Sequence, residues 1–166
     1  MSVSSNSETS ITTSTPSSSK ENLYGPTGKR LDYITWHQLH MFMARSLAEM
    51  AENEDSEAEG CYIVDQEHYQ LSTGYSGESS DATCRHAVNI ALEKLKTRAA
   101  RPEGAVLYTT ALADCAQCAR SIADHKIAVL WYWHEARLEN HRPPIGVKCQ
   151  KYVPTRRISI DFHDEK

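Results

Sequence analysis

The 166-residue chain carries 18 Lys and Arg residues against 22 Asp and Glu residues, a formal charge of −4 at pH 7. This balance does not favour a general nucleic-acid binder, although it leaves a local basic patch open. No stretch approaches the roughly 18 consecutive apolar residues of a membrane-spanning helix. The length fits one domain with a sizeable core.

The number and spacing of the cysteines indicate in which cellular compartment the protein is expected. There are five, an odd number, and two of them form a Cys-x-x-Cys pair. Such usage fits metal binding in a reducing compartment better than a disulfide framework. The N-terminus also lacks the apolar core of a secretory signal. We therefore expect an intracellular protein, cytoplasmic or nuclear.

Residues 1–30 are predicted to form a disordered tail, because most of the first twenty are Ser or Thr. Such a segment buries too little apolar surface to offset the entropy lost on ordering. The remaining residues, 31–166, are predicted to form a single domain.

The domain begins with an amphipathic helix predicted over residues 31–53, whose apolar positions recur every three to five residues. An acidic, solvated connection follows it. Two short strands are then expected at residues 60–65 and 69–73, joined by a turn at 66–68. A glycine-punctuated loop, Thr73-Gly74-Tyr75-Ser76-Gly77, leads from the second strand towards the next helix.

That next helix is predicted over residues 85–99, with Asp81 or Thr83 as its cap. A strand at 105–109 and a helix from about Cys115 to His125 come next. The apolar run 127–133 is typical of a central strand covered on both faces. Residues 147–152 and 157–162 are candidate edge strands. The alternation predicts an α/β fold, a three-layer α-β-α sandwich with a mixed sheet of about five strands.

Three residues in this order could bind a metal. His86 stands near the start of one predicted helix, and Cys115 and Cys118 stand at the start of another. Residues at i and i+3 share a helix face, and two converging helix N-termini favour thiolates. One imidazole and two thiolates suit a zinc ion that keeps its fourth position open for water.

The alternative is that His86 is an ordinary polar residue and that the Cys-x-x-Cys pair is redox-active or incidental. A thioredoxin-like pair should follow the first strand of its fold. Here the pair follows the third predicted strand, with a His-bearing helix upstream. The context therefore favours zinc.

These segments resemble motifs of a known superfamily. The loop at 73–77 is similar to Thr-Gly-Tyr-Asn-Gly, and the segment 84–91, Cys-Arg-His-Ala-Val-Asn-Ile-Ala, is similar to His-Ala-Glu-x-Asn-Ala. Leu-Tyr-Thr-Thr at 107–110, before Cys115, resembles a Tyr-Val-Thr approach to Pro-Cys-x-x-Cys. Over roughly residues 31–133, the chain thus resembles the cytidine and deoxycytidylate deaminases, nearest the deoxycytidylate branch.

The resemblance implies a cytidine deaminase-like fold and hydrolytic deamination of cytosine nucleosides or nucleotides. It implies Zn²⁺ held by His86, Cys115 and Cys118. It also implies substrate contacts from the 73–77 loop, which we assign to Thr73, Tyr75 and Ser76. Expected partners are a cytosine nucleoside or nucleotide, and either further copies of this chain or an active deaminase subunit.

The chain departs from the family pattern at three positions. Val88 stands where the resemblance places the Glu that moves protons between the zinc-bound water and the base. Asp114 replaces the Pro, and Ser76 replaces the Asn of the substrate loop. General acid–base help is worth about 10²–10⁴-fold, so hydrolysis should be impaired or lost. We therefore predict a zinc-binding protein that no longer performs the inherited reaction.

Two alternatives stay open. An active cytidine or deoxycytidylate deaminase could use Asp114 as a substitute proton carrier, although this residue is equally compatible with a helix N-cap. A structural-zinc interaction module is the other.

Overall fold

A computed structural model of the protein describes Pro26, Gly28 and residues 33–51, 58–80, 84–97, 101–112, 115–135 and 144–155. Several predictions fall on residues outside these ranges. They concern the tail, most of the acidic connection, the caps Asp81 and Thr83, the candidate proton carrier Asp114 and the strand at 157–162. The secondary structure described below belongs to a compact unit, Ile34–Lys166.

The described elements follow the predicted alternation of helices and strands. In chain order they are α1 (Trp36–Ala48), β1 (Gly60–Val64), β2 (Gln70–Tyr75), α2 (Ala87–Lys96), β3 (Val106–Ala111), α3 (Ala116–Asp124), β4 (Val129–His134) and β5 (Lys148–Lys151). The five strands lie in the order β2-β1-β3-β4-β5. β1 is antiparallel to β2 and β3, whereas β3, β4 and β5 are parallel. The predicted mixed five-stranded sheet is confirmed.

Alternate residues of the strands face two separate apolar clusters. Cys61, Ile63 and Leu107 pack with α2 and α3 on one face. Tyr62 and Tyr108 pack with Met41 and Ala44 of α1 on the other. Helices therefore cover both faces, and the predicted α-β-α sandwich is confirmed. Nowhere in the described ranges does a helix have both the length and the apolar character to cross a membrane.

The apolar run near residue 130 is not the centre of the sheet, contrary to our prediction. The central strand is β3, and β1 is the strand buried along its whole length. In β4 only Leu130 is buried, while Trp131 and Trp133 are partly exposed. Because α1 packs mainly on β1 and β3, these two indole rings lie at the margin of its cluster.

Two helix starts also differ from the predicted ones. α1 begins at Trp36 because Thr35 and Gln38 form a capping box. The Thr35 hydroxyl accepts the Gln38 N–H at 3.2 Å, and the Gln38 side chain accepts the Thr35 N–H at 2.9 Å. α2 begins at Ala87, with His86 as its N-cap. The predicted helix over 31–53 is therefore shorter than expected.

Glycines let α1 and α2 lie directly on the sheet. A Cβ atom at Gly60 would clash with the Ala44 carbonyl oxygen and lie 2.6 Å from the Ala48 nitrogen, both in α1. A Cβ atom at Gly74 would lie 2.6 Å from the Ala87 carbonyl oxygen and 2.8 Å from the Ala91 nitrogen, both in α2. Since these neighbours are backbone atoms, either substitution must displace a helix.

The outer edge of β2 is covered by two charged side chains. Lys94 of α2 donates to the Thr73 carbonyl at 3.0 Å, and the Glu78 carboxylate accepts the Tyr75 N–H at 3.3 Å. Lys94 and Glu78 also form an ion pair. Backbone groups that point away from β1 are thereby satisfied by side chains.

Helix α1 carries a buried imidazole. His40 is 2% exposed, stacks between the rings of Trp36 and Tyr62, and shares a 3.3 Å hydrogen bond with His68 through its Nε2 atom. Its Nδ1 atom is buried and has no hydrogen-bond partner among the described residues. This environment opposes a positive charge, because a charged ring there would lose its hydration and its Nδ1–H group would find no acceptor among the described residues.

We expect His40 to make stability depend on pH. Burial, followed by the charges of His68 and His37, lowers the pKa of His40 from 6.5 to about 4. The phenols that face it, Tyr62 and Tyr108, have pKa values raised by burial and stay neutral in this range. Between these two pKa values, His40 is protonated in the unfolded chain and neutral in the folded chain. Stability should be full above pH 6.5 and fall by about 3 kcal/mol as the pH drops towards 4.

Denaturant unfolding between pH 7 and pH 4 measures this dependence. The variant His40→Phe keeps an aromatic ring and removes the titration, so its slope between pH 6.5 and 4 should be shallower. The other titratable groups are common to both proteins, so their protonation cancels in the comparison. Equal slopes would contradict the assignment to His40.

Candidate metal centre

Four potential ligands meet at the starts of two helices. They are Cys84, His86, Cys115 and Cys118, and their ligand atoms all lie within 4.8 Å of one another. This is the only group of three or more such side chains among the residues that the structure describes. It contains all three predicted ligands and one that was not predicted, Cys84.

Helix N-termini position the predicted ligands. His86 is the N-cap of α2 and Cys115 is the N-cap of α3, both with extended backbone. The Cys115 sulfur accepts the backbone N–H of Cys118 at 3.3 Å, as an N-cap side chain should. The two helix dipoles thus favour negative charge on the sulfurs, as the sequence predicted.

The separations match a tetrahedral zinc ion. Cys84 Sγ lies 3.5 Å from Cys115 Sγ and 3.6 Å from Cys118 Sγ, and Cys118 Sγ lies 3.6 Å from His86 Nδ1. Bonds of about 2.3 Å to sulfur and 2.0–2.1 Å to nitrogen give tetrahedral edges of about 3.8 Å and 3.6 Å. A disulfide would require sulfurs about 2.05 Å apart. The residues present therefore fit zinc.

The pKa values of the three thiols shift in different directions. It raises the pKa of Cys118, which is fully buried, and that of Cys84. Burial also acts to raise the pKa of Cys115, but the Cys118 N–H and the neighbouring ligands outweigh it, so the pKa falls. A divalent cation supplies the charge that allows all three to ligate as thiolates.

Asn89 ties the segment that carries Cys84 to both helices. Its side-chain N–H groups donate to the Cys84 carbonyl at 3.2 Å and to the Glu93 carboxylate at 2.9 Å. Its side-chain oxygen accepts the Ser121 hydroxyl of α3 at 2.9 Å. Asn89 is 1% exposed. The loop before α2 is therefore held by a buried, satisfied amide.

Val88 lies in the apolar core. It is 2% exposed and belongs to the same buried cluster as Cys118. It follows His86 by two residues in the first turn of α2. Its side chain supplies packing and has no group that ionises.

The structure does not bring two of the three predicted substrate residues to the metal cluster. Thr73 pairs with Tyr62 and Tyr75 pairs with Gly60, so both side chains lie on the α1 face of the sheet. The ligands belong to the starts of α2 and α3 on the other face. Ser76 is 5% exposed, and its hydroxyl accepts the Glu59 N–H at 3.0 Å. Contact of these residues with a nucleotide stays a prediction, and Asp114 lies outside the described residues.

Sequence reasoning missed Cys84 as a member of this cluster. The available signal was its spacing: Cys-x-His precedes Cys-x-x-Cys, and both pairs stand at helix starts. A four-ligand set of this kind is common in zinc sites.

Comparisons with known proteins agree with this geometry. The family model of the cytidine and deoxycytidylate deaminase zinc-binding region matches residues 34–133. An uncharacterised protein of Caenorhabditis elegans is 37% identical over 133 residues, which cover 75% of this chain and 100% of that protein.

Solved structures share the fold at low sequence identity. The dCMP deaminase of cyanophage S-TIM5, in complex with dCMP and dUMP, has a TM-score of 0.60 and 19% identity, over 72% of this chain and 100% of that one. A diaminohydroxyphosphoribosylaminopyrimidine deaminase/reductase of Thermotoga maritima has a TM-score of 0.56 and 15% identity, over 70% of this chain and 37% of that one. With the matched zinc-binding region and the metal-capable cluster, the chain belongs to the cytidine and deoxycytidylate deaminase family.

Proposed function

We propose that this chain is a non-hydrolytic member of the deaminase family, in which zinc is retained for structure and hydrolysis of cytosine compounds is lost. One observation carries the proposal. Val88 stands where the resemblance places the proton-carrying Glu, and its side chain is packed in the apolar core at 2% exposure. Burial gives this valine a role that does not require a reactive group.

The family reaction needs a proton carrier beside the metal. When bound, zinc in these enzymes acidifies a water molecule, and a carboxylate moves the proton onto the base. No carboxylate belongs to the described cluster, whose members are three thiols and an imidazole. Glu93 is the only acidic residue of α2, and its carboxylate is hydrogen-bonded to Asn89. The cluster and α2 thus supply ligands without a free carboxylate to carry the proton.

The retained ion then has a structural task. His86 and Cys115 start different helices, and Cys84 lies in the loop that precedes α2. One ion bound by all these segments fixes two helix starts and a loop in place. This role suits a subunit that assembles with further copies of itself or with an active deaminase.

Metal analysis and an ultraviolet assay together test the proposal. We expect about one zinc per chain and, on cytidine, deoxycytidine, CMP and dCMP, turnover at least about 10²-fold below an active deaminase assayed in parallel. Turnover at a comparable rate would refute the loss of hydrolysis. A well-folded, zinc-free preparation would refute retention of the metal.

A nucleotide-binding role has its own test. The cyanophage enzyme was solved with dCMP and dUMP, so dCMP is the natural probe. A ligand at 100 times its dissociation constant stabilises a protein by about 2.7 kcal/mol. Because Thr73 and Tyr75 face α1, we expect no rise in melting temperature with millimolar dCMP. A clear rise would identify a nucleotide-binding module instead.

A further inference from the structure

We infer that Cys84 is a fourth protein ligand of the zinc and takes the coordination position that catalytic zinc sites leave to water. The inference rests on the zinc retention of the proposed function and deepens it. It changes the site from an open catalytic type to a closed structural type.

The distances place Cys84 at a vertex of the tetrahedron. Its sulfur lies 3.5 Å from that of Cys115 and 3.6 Å from that of Cys118. These separations are within 0.1 Å of the 3.6 Å between Cys118 Sγ and His86 Nδ1, two ligands that the resemblance to the family motif implies. The fourth vertex of a tetrahedron lies one edge from each of the others. Cys84 Sγ lies about one edge from the two other sulfurs and within 4.8 Å of the His86 ligand atom.

The donor set also favours closure. Three thiolates and one imidazole form the Cys₃His set of structural zinc sites, whereas catalytic sites keep three protein ligands and a water. Three thiolate charges outweigh the two positive charges of the ion. The ion is then a weaker Lewis acid than one held by two thiolates and a water.

The surroundings hold Cys84 in this place. The Asn89 amide donates to the Cys84 carbonyl at 3.2 Å and is itself fixed by Ser121 and Glu93. The Arg85 carbonyl accepts the Gly77 N–H at 3.1 Å, which ties the next residue to the end of β2. Outer hydrogen bonds of this kind orient ligands in established metal sites. Asn89 is accordingly a positioning residue for the metal.

Closure and the loss of the carboxylate are separate obstacles to hydrolysis. Cys84 removes the place for a metal-bound water, and Val88 lacks the group that would take its proton. Restoring one feature leaves the other obstacle in place.

Cobalt substitution of the full chain tests the assignment without any assay of activity. Thiolate-to-cobalt charge-transfer absorption grows with the number of bound thiolates. The variant Cys84→Ser reduces three thiolates to two, so we expect it to lose about a third of this absorption. Its zinc affinity should fall at least about 10-fold, since even outer-shell changes cost that much. The matched control is Cys149→Ser, because Cys149 is a half-buried thiol outside the cluster and should change neither readout.

An unchanged cobalt spectrum in Cys84→Ser would overturn the inference. Should that variant fail to fold, X-ray absorption on the unmodified zinc protein decides instead. Three sulfurs and one nitrogen are expected, and two sulfurs with two nitrogen or oxygen neighbours would overturn it. Turnover of dCMP by the unmodified chain would refute both the proposed loss of hydrolysis and the closure of the site. Two sulfurs in a chain without turnover would refute the ligand assignment alone.

Discussion

Removing zinc is expected to lower the free energy of unfolding by at least about 5 kcal/mol, a large part of the 5–15 kcal/mol that a domain usually has. Structural zinc binds zinc-finger peptides with about 10–16 kcal/mol, and part of that energy is folding energy in a domain with its own core. Cys84 Sγ lies 3.5 and 3.6 Å from the other two sulfurs, and Cys118 is fully buried. Without the ion, no metal links the start of α2 to the start of α3, and the three thiols remain crowded together.

Thermal unfolding with and without a strong zinc chelator measures this loss. For a domain of this size, 5 kcal/mol corresponds to a fall of about 15 °C or more in the midpoint. The variant Cys118→Ser, with zinc present, should resemble the chelated protein. Adding zinc back should restore the unmodified chain and leave the variant unchanged. An unfolding midpoint that is unchanged by the chelator would show that the metal contributes nothing to stability.

Two glycine substitutions, one on each face of the sheet, should have similar effects on stability but different effects on zinc binding. We expect Gly60→Ala and Gly74→Ala each to destabilise the domain by about 3 kcal/mol or more, since the added methyl group meets backbone atoms that cannot rotate away. Only Gly74→Ala should also weaken zinc binding. It displaces α2 at Ala87, the neighbour of His86, whereas Gly60→Ala displaces α1 on the other face.

Competition with a chromophoric chelator measures zinc affinity in each variant. A fall of at least about 10-fold is expected for Gly74→Ala, comparable to the loss of a supporting contact in other metal sites. Gly60→Ala serves as its control, because both variants add one methyl group to a glycine and both should lose a similar amount of stability. Equal affinities in the two variants would contradict the placement of His86 by α2.

Local patterns predicted most of the architecture. Apolar spacing and glycine punctuation located the helices and strands within a few residues, and their alternation predicted the layers. The start of α1 was missed because Thr35 and Gln38 form a capping box that hydrophobic spacing does not register. β4 was misplaced because Trp131 and Trp133 look like core residues in sequence, yet lie at the margin of the α1 cluster.

The metal centre was predicted only in part, for a different reason. His86, Cys115 and Cys118 follow from helix starts and a spacing that the sequence displays. A role for Cys84 depends on how far its loop folds back, and no periodicity encodes that distance. The facing of Thr73 and Tyr75 depends on strand register, where a shift of one residue exchanges the two faces. The position of Cys84 and the facing of these two side chains could be established only from the three-dimensional structure.

The charged cover on β2 limits how this protein can assemble. A strand of another chain could extend the sheet at this edge only by displacing Lys94 from the Thr73 carbonyl and Glu78 from the Tyr75 N–H. Charged groups at sheet edges oppose edge-to-edge aggregation. Continuous cross-chain sheets along β2 are therefore disfavoured, because the two charged side chains would have to leave their backbone partners first.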